Sequence, residues 1–447
     1  MNIFDLKPQY DSFVCAYLLM TPLPSPRGDA GALGEIMSTN EICDVAIIGA
    51  GPSGAVSAAL LAEKGWSVRV FERQHFPRFS IGESMLCQTM QLLEDAGLYD
   101  DIAQAGFQYK DGAAFAWGDR YTDIYFPNKS APGRDTTFQV RREKFDEVLI
   151  GAAQKRGAKV TFGDSVIAFR SDEHGAVLTV REENGAEKEI RARFCLDGSG
   201  FGRILPRLLN LELASTFDKR RSVFRHVHDH ADNSTFDRNK ILVTINPDEP
   251  QIWYWMIPLA DGLTSIGVVG PDADIERAGA NAEERLDTLL PRAALMSRVL
   301  ANATSARPAG EIVGFSANVK SLTGPSYALL GNAAEFLDPV FSSGVTIALK
   351  SAVLAAGLVD RQLKGETVDW RRDFAEELKI GVEAFRACVA AWYEGSLQRI
   401  IFDRPQEDTM VTAYITSILA GYAWDKSNPF VREPVRSLRL IDELCAR

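Results

Sequence analysis

The sequence has little cysteine, and none of it is arranged to bind a metal or to staple a small fold. Cys15, Cys43, Cys87, Cys195, Cys388 and Cys445 are scattered over 447 residues, with no Cys-x-x-Cys and no tight pairs. That pattern excludes a disulfide framework and fits a reducing compartment, so a cytoplasmic location is expected. Histidine is scarcer still, at five residues. Three fall in the run His226-Val-His228-Asp-His230, with no cysteine or further histidine at ligand spacing. No metal is expected there, and these side chains should face a substrate pocket or solvent. Positive charge is in deficit: 49 Lys+Arg against 60 Asp+Glu leave a net charge of -11. A nucleic acid or an anionic membrane is thereby excluded as the main partner. The apolar run at 13–20 is too short to span a bilayer. It also lacks the basic flank of a secretory signal, because Asp5 and Asp11 bracket the single Lys7.

What is present is a chain long enough for two lobes, with ordinary globular proportions of 46% hydrophobic and 24% charged residues. Residues 22–29 read as a turn-rich linker, and Met37 stands just ahead of the first convincing strand. Met37 is expected to be the natural start, and 1–40 a disordered or wrongly included extension. From Cys43 a buried-strand pattern runs into Gly49-Ala-Gly51-Pro-Ser53-Gly54, followed by a helix over 55–64 and a strand over 67–71 closed by Glu72 and Arg73. The glycines allow a tight turn and close approach of backbone to a pyrophosphate. The helix start offers free N–H groups and a positive dipole end. Glu72 is placed to accept from ribose hydroxyls.

Three later segments extend this nucleotide half. Phe138-Gln-Val-Arg-Arg142-Glu-Lys-Phe145-Asp146 reads as a strand entering a helix, with Arg142 available for a phosphate. Phe194-Cys-Leu-Asp197-Gly198-Ser-Gly200 is a strand ending in a glycine turn, and Leu329-Leu-Gly331-Asn332 leads through Asp338-Pro339 to Ser343-Gly344-Val345. Together they resemble the glutathione-reductase-type FAD fold of the aromatic hydroxylases. Within that group the chain resembles the flavin-dependent halogenases, chiefly their phenol and pyrrole branch, from Cys43 to about residue 360. The resemblance is carried by Trp253-Tyr-Trp255-Met-Ile257-Pro258, by Phe76-Pro-Arg-Phe-Ser-Ile-Gly82-Glu83-Ser84, and by Lys110-Asp-Gly112. As a strand, the hexapeptide should point both indoles to one face and end at Pro258, which cannot donate to a ladder.

The resemblance implies an α/β fold: a Rossmann-type FAD domain, an interleaved antiparallel-sheet substrate domain and a helical C-terminal region. The expected boundaries are 41–203 and 320–365 for the two FAD parts, 204–319 for the substrate sheet and 366–447 for the helical end. After Lys350 the pattern turns helical, and helices are expected over 352–363, at the close of the second FAD part, and over 370–402 in the helical end. The resemblance further implies that reduced FAD, O2 and chloride or bromide yield a hypohalous acid that crosses to a separate aromatic-substrate pocket. Lys110 is implied to hold the oxidant, Trp253 and Trp255 to form a wall between flavin and substrate, and Ser343-Gly344 to hold the halide. Implied flavin contacts are Gly49, Gly51, Ser53, Gly54, Glu72, Arg73, Ser84, Arg142, Asp197, Gly331, Asn332, Pro339, Gly344 and Val345. With no second dinucleotide motif, a separate NAD(P)H-dependent flavin reductase is the expected partner. The substrate is a small aromatic, free or tethered to a carrier protein.

Two positions depart from the pattern. Asn332 replaces the usual aspartate beside the flavin. Phe341 stands where tryptophan-specific members carry a glutamate base, so free tryptophan is not the expected substrate. Asn332 keeps two alternatives open: a non-halogenating FAD oxidoreductase of a pigment or natural-product pathway, and an inert flavin-binding module.

Overall fold

The computed structural model describes residues 41–231, 236–403 and 409–445; the extension expected at 1–40 lies outside them. Five strands run parallel side by side in the order Tyr327–Leu329, Glu187–Asp197, Glu41–Ile48, Val68–Glu72 and Lys159–Phe162. The first strand sits in the middle and is apolar on both faces, as a strand covered on both sides must be. A helix over Pro52–Glu63 follows it, starting three residues before the expected 55 because proline fits a first helical turn. Gly54 packs this helix onto its strand: a Cβ there would overlap the carbonyl of Gly49. The carboxyl ends of the central strands converge. Gly49 N–H donates to Phe71 O, Gly198 N–H to Ile48 O and Leu330 N–H to Asp197 O, each at 2.8 Å. In an open parallel sheet this is the edge where ligands bind.

The second large sheet has the order Thr304–Ser305, Arg220–His228, Leu263–Pro271, Trp253–Pro258, Lys240–Ile245, Gly112–Trp117, Arg120–Tyr125. It is antiparallel except for one pairing: Lys240–Ile245 runs parallel to Gly112–Trp117. The sheet therefore takes its last two strands from the segment between the Rossmann start and Arg142, which alternation within 204–319 does not reveal. The strand Trp253–Pro258 ends at its proline, as its sequence requires. Trp253, Trp255 and Ile257 face the large core shared with the FAD sheet, while Tyr254 and Met256 face a separate cluster with Ile252, Ile266, Leu286 and Met296.

The helix expected at 352–363 begins earlier and spans Ser343–Leu363. Its start is set by Ser342, which takes a left-handed φ of 55° and turns the chain into the helix. This helix is long and apolar enough to cross a membrane, yet 67% of the relevant stretch is buried inside the protein. The helix expected over 370–402 is broken. It forms a wide turn at Arg371–Glu376, a helix Glu377–Tyr393 and a helix Ser396–Asp403. The break is at Gly395, whose φ of +85° is a conformation that closes helices and that other residues adopt at a cost. Cys43, Cys87, Cys195 and Cys388 are buried free thiols and Cys445 is half-buried.

Candidate active site

One elongated cavity runs from the Rossmann turn to the second sheet. It is lined by Gly49, Gly51, Ser53, Glu72, Arg73, Ser84, Arg142, Asn332, Pro339, Gly344 and Val345, and by both Trp253 and Trp255. Its nucleotide end is built for close backbone approach. A Cβ on Gly49 would lie 2.7 Å from Gly198 O, and Gly49 has φ +89°. A Cβ on Gly51 would meet only the Arg78 guanidinium, at 3.5 Å, so this edge is open for a ligand. Glu72 holds the turn as well as lining it: Oε2 accepts from Ala50 N–H at 2.9 Å and Oε1 from Gln74 N–H at 3.0 Å.

Other residues singled out from the sequence support the cavity without lining it. Asp197 is buried. Its Oδ1 accepts from Ser199 N–H and its Oδ2 from Leu205 N–H, which fixes the Gly198–Gly200 turn, and burial raises its pKa. Gly331, with φ +49°, lets the chain pass the following helix, where a Cβ would lie 2.7 Å from Ala348 Cβ. Its N–H donates to Ser351 Oγ. Ser343 is buried at the start of that helix, and Ser342 rather than Ser343 lines the cavity. Arg142 lines the cavity, but its guanidinium is engaged by Asp146 at 2.8 and 3.0 Å and by Ile81 O at 2.8 Å. It thereby pins the Ile81–Gly82 strap over the site.

The two indoles stand side by side, ring centroids 6.1 Å apart and planes 47° apart. Trp255 Nε1 donates to Ser265 Oγ at 3.2 Å. Its ring lies over Gly267 on the neighbouring strand, so closely that a Cβ there would overlap it. Trp253 Nε1 donates to Tyr393 Oη at 3.0 Å, and Tyr393 donates to Asp338 Oδ2 at 2.9 Å. Asp338 Oδ1 accepts from Val340 N–H at 3.0 Å, which ties the indole to the turn leading into Ser342–Gly344. Burial pushes the Asp338 carboxyl up to about 6 and the Tyr393 phenol well above its usual range. The Arg220 guanidinium lies 3.3 Å from the Tyr393 ring centre. Tyr393 is 140 residues from Trp253, so no local pattern announces the pairing; the apolar stripe of its helix reads only as packing.

Lys110 is 1% exposed and does not line the cavity. It lies one hydrogen bond behind it: Nζ donates to Ser84 Oγ at 2.7 Å and to Met85 O at 2.9 Å, and sits 5.2 Å from the centre of the Phe126 ring. Among the described residues no carboxylate pairs with it. Desolvation accordingly pulls its pKa down to about 7. Phe341 is buried, with its ring edge-on to Trp392 at 5.8 Å.

The histidine run divides. His226 is buried against Glu83, Nε2 to Oε1 2.8 Å, while His228 and His230 are exposed. Among the described residues no cluster of three or more His, Cys, Asp or Glu is placed to hold a metal.

The family model of the FAD binding domain matches residues 42–377. A 1H-pyrrole-2-carbonyl-[peptidyl-carrier protein] chlorinase of Pseudomonas fluorescens is 30% identical over 78% of this chain and 82% of its own length. A tryptophan 2-halogenase of Chondromyces crocatus is 29% identical over 72% of this chain and 62% of its own. The crystal structure of a flavoprotein/dehydrogenase from Cytophaga hutchinsonii superposes with a TM-score of 0.87 at 36% identity, covering 91% of this chain and 99% of that one.

Proposed function

Because the chain belongs to the flavin-dependent halogenases and carries their FAD binding domain, we propose that it transfers electrophilic halogen to an electron-rich phenol, pyrrole or polyketide-derived aromatic. Bound reduced FAD supplies the electrons that, with O2 and chloride or bromide, give hypohalous acid. The cavity fits the cofactor. Gly49 and Gly51 would admit a pyrophosphate against the helix start at Pro52, Glu72 would accept from a ribose hydroxyl, and Gly344 and Val345, which line the same cavity, would hold the other end of the group. Asn332 lines that end as a neutral acceptor and donor in place of a carboxylate.

The observation that carries the reading is Lys110: a fully buried lysine with no carboxylate partner among the described residues, one hydroxyl away from the cavity. Near neutral pH such an amine exists both charged and free, so it can donate a hydrogen bond to a hypohalite or accept halogen on nitrogen. The Trp253 and Trp255 indoles exclude water and keep the arene off the flavin, which suppresses hydroxylation. Phe341 offers no base for a tryptophan-type substrate. The Pseudomonas fluorescens relative is named for a carrier-bound pyrrole, which supports a small aromatic substrate presented on a carrier protein. Reduced flavin comes from a separate NAD(P)H-dependent reductase.

The test incubates FAD-loaded protein with a flavin reductase, NADH, bromide and a reactive phenol, and looks for the brominated product by mass spectrometry. Lys110→Ala should cut bromination by roughly 10²-fold or more while flavin oxidation continues. Hydroxylated phenol or peroxide alone from the wild type overturns the reading. That outcome would favour the second reading, a non-halogenating FAD oxidoreductase, which the likeness to a protein described as a flavoprotein/dehydrogenase supports.

A further inference from the structure

We infer that Glu83 and His226 form the route by which protons pass from solvent to the flavin cavity, an inference that rests on the halogenase reading for the second of the two protons involved. Glu83 is 1% exposed and lines the flavin cavity. Its Oε1 lies 2.8 Å from His226 Nε2, and its Oε2 is buried with no hydrogen-bond partner among the described residues. A buried carboxylate oxygen left bare is costly, and the residue that carries it borders the flavin cavity. His226 lines a second cavity, with Phe79, Arg141, Glu143, His228 and Arg307. Phe79 borders both cavities and sets its ring edge-on to the imidazole at 5.7 Å. One residue of the pair therefore borders the flavin cavity and the other borders the outer cavity.

The charges around the pair suit it. The Arg307 guanidinium lies 3.4 Å from the centre of the Phe79 ring, and its positive charge acts on Glu83 and Glu143. Arg141 is itself paired with Glu143. His228 also borders the outer cavity. The Arg142 guanidinium is taken up by Asp146 and the strap carbonyls, so it leaves Glu83 free to exchange a proton.

The reaction needs such a route. Reoxidation of anionic reduced FAD by O2, giving FAD and H2O2, takes up one proton. Diversion to hypohalous acid takes up two: FADH−, O2, halide and two protons give FAD, HOX and water. Two of the four electrons that reduce O2 come from the flavin and two from the halide. The imidazole takes a proton from water in the outer cavity at Nδ1 and passes its Nε2 proton to Glu83 Oε1. Rotation about the terminal torsion of Glu83, a soft two-fold torsion, turns that proton toward the flavin.

The experiment follows the reoxidation of pre-reduced, FAD-loaded enzyme by stopped flow in H2O and D2O across a pH series, without and with bromide. Glu83→Gln keeps the shape and removes the exchangeable proton; His226→Ala opens space for added imidazole. FAD affinity by fluorescence titration and the melting temperature should stay close to wild type in Glu83→Gln. Each variant should slow the proton-dependent phase by about tenfold or more. Each should also change its pH profile and solvent isotope effect, and the double variant should be no slower than the worse single one, since both interrupt one path. Imidazole should restore His226→Ala but not Glu83→Gln. An unchanged pH profile and isotope effect in Glu83→Gln with normal FAD affinity overturns the route. The bromide-free arm tests the route through its one-proton reaction even if the wild type never halogenates, so the two readings fail separately.

Discussion

A lysine with 1% of its surface exposed and no carboxylate partner among the described residues makes the folded chain sensitive to pH in a direction that can be worked out. Between about 7 and the ordinary lysine value of about 10.4, the unfolded chain holds a proton that folded Lys110 has released. Through that window Lys110 makes stability rise with pH. Below it both states are charged, and the folded state bears the full cost of a buried ammonium. Lys110→Met should therefore raise the melting temperature relative to wild type more at about pH 6 than at about pH 9.5. Equal shifts would show that the lysine is solvated. The resemblance singled out the lysine through its sequence neighbours. That it lies behind Ser84 rather than in the cavity wall was not, because its partners come from a loop 25 and 26 residues away.

At the level of elements, the parts that could be read were those whose determinants lie within one short stretch. The strand at Glu41–Ile48, the glycine turn, the helix at Pro52–Glu63 and Glu72 are consecutive, and each constrains the next. The strand at Trp253–Pro258 declared itself by alternation and its terminal proline. Long-range pairings did not: the parallel ladder of Gly112–Trp117 with Lys240–Ile245, the Glu83–His226 contact and the reach of Tyr393 to Trp253. The last of these makes the helix Glu377–Tyr393 a brace for the Trp253 indole. Tyr393→Phe would leave the Trp253 N–H and one Asp338 oxygen without partners, a cost of about 1–3 kcal/mol. It should lower the melting temperature and raise the ratio of peroxide released to product formed, measured in the same turnover assay. An unchanged ratio would reduce Tyr393 to a packing residue.

For the molecule as a whole, residues Thr39–Arg447 form one compact unit in which the flavin cavity lies between two sheets and a long buried helix. A cofactor that spans such a junction stabilises every element touching it. FAD at a hundredfold excess over its dissociation constant should add about 2.7 kcal/mol to the unfolding free energy. Denaturant titrations with and without FAD check this, and a protein whose unfolding midpoint is unmoved by FAD would not be a flavoprotein. Gly49→Ala should remove most of that gain, because the methyl meets the carbonyl of Gly198 and the backbone is left-handed there.

Trp255 rests on Gly267, and nothing larger than hydrogen fits beneath its ring. How far the indole stands into the cavity is therefore set by the adjacent strand rather than by the indole itself. A methyl group at 267 would press the ring outward like a shim behind a panel, narrowing the flavin cavity while leaving every cavity-lining residue intact. The width of the cavity could thus be set from behind, at a position that no comparison of cavity-lining residues would flag.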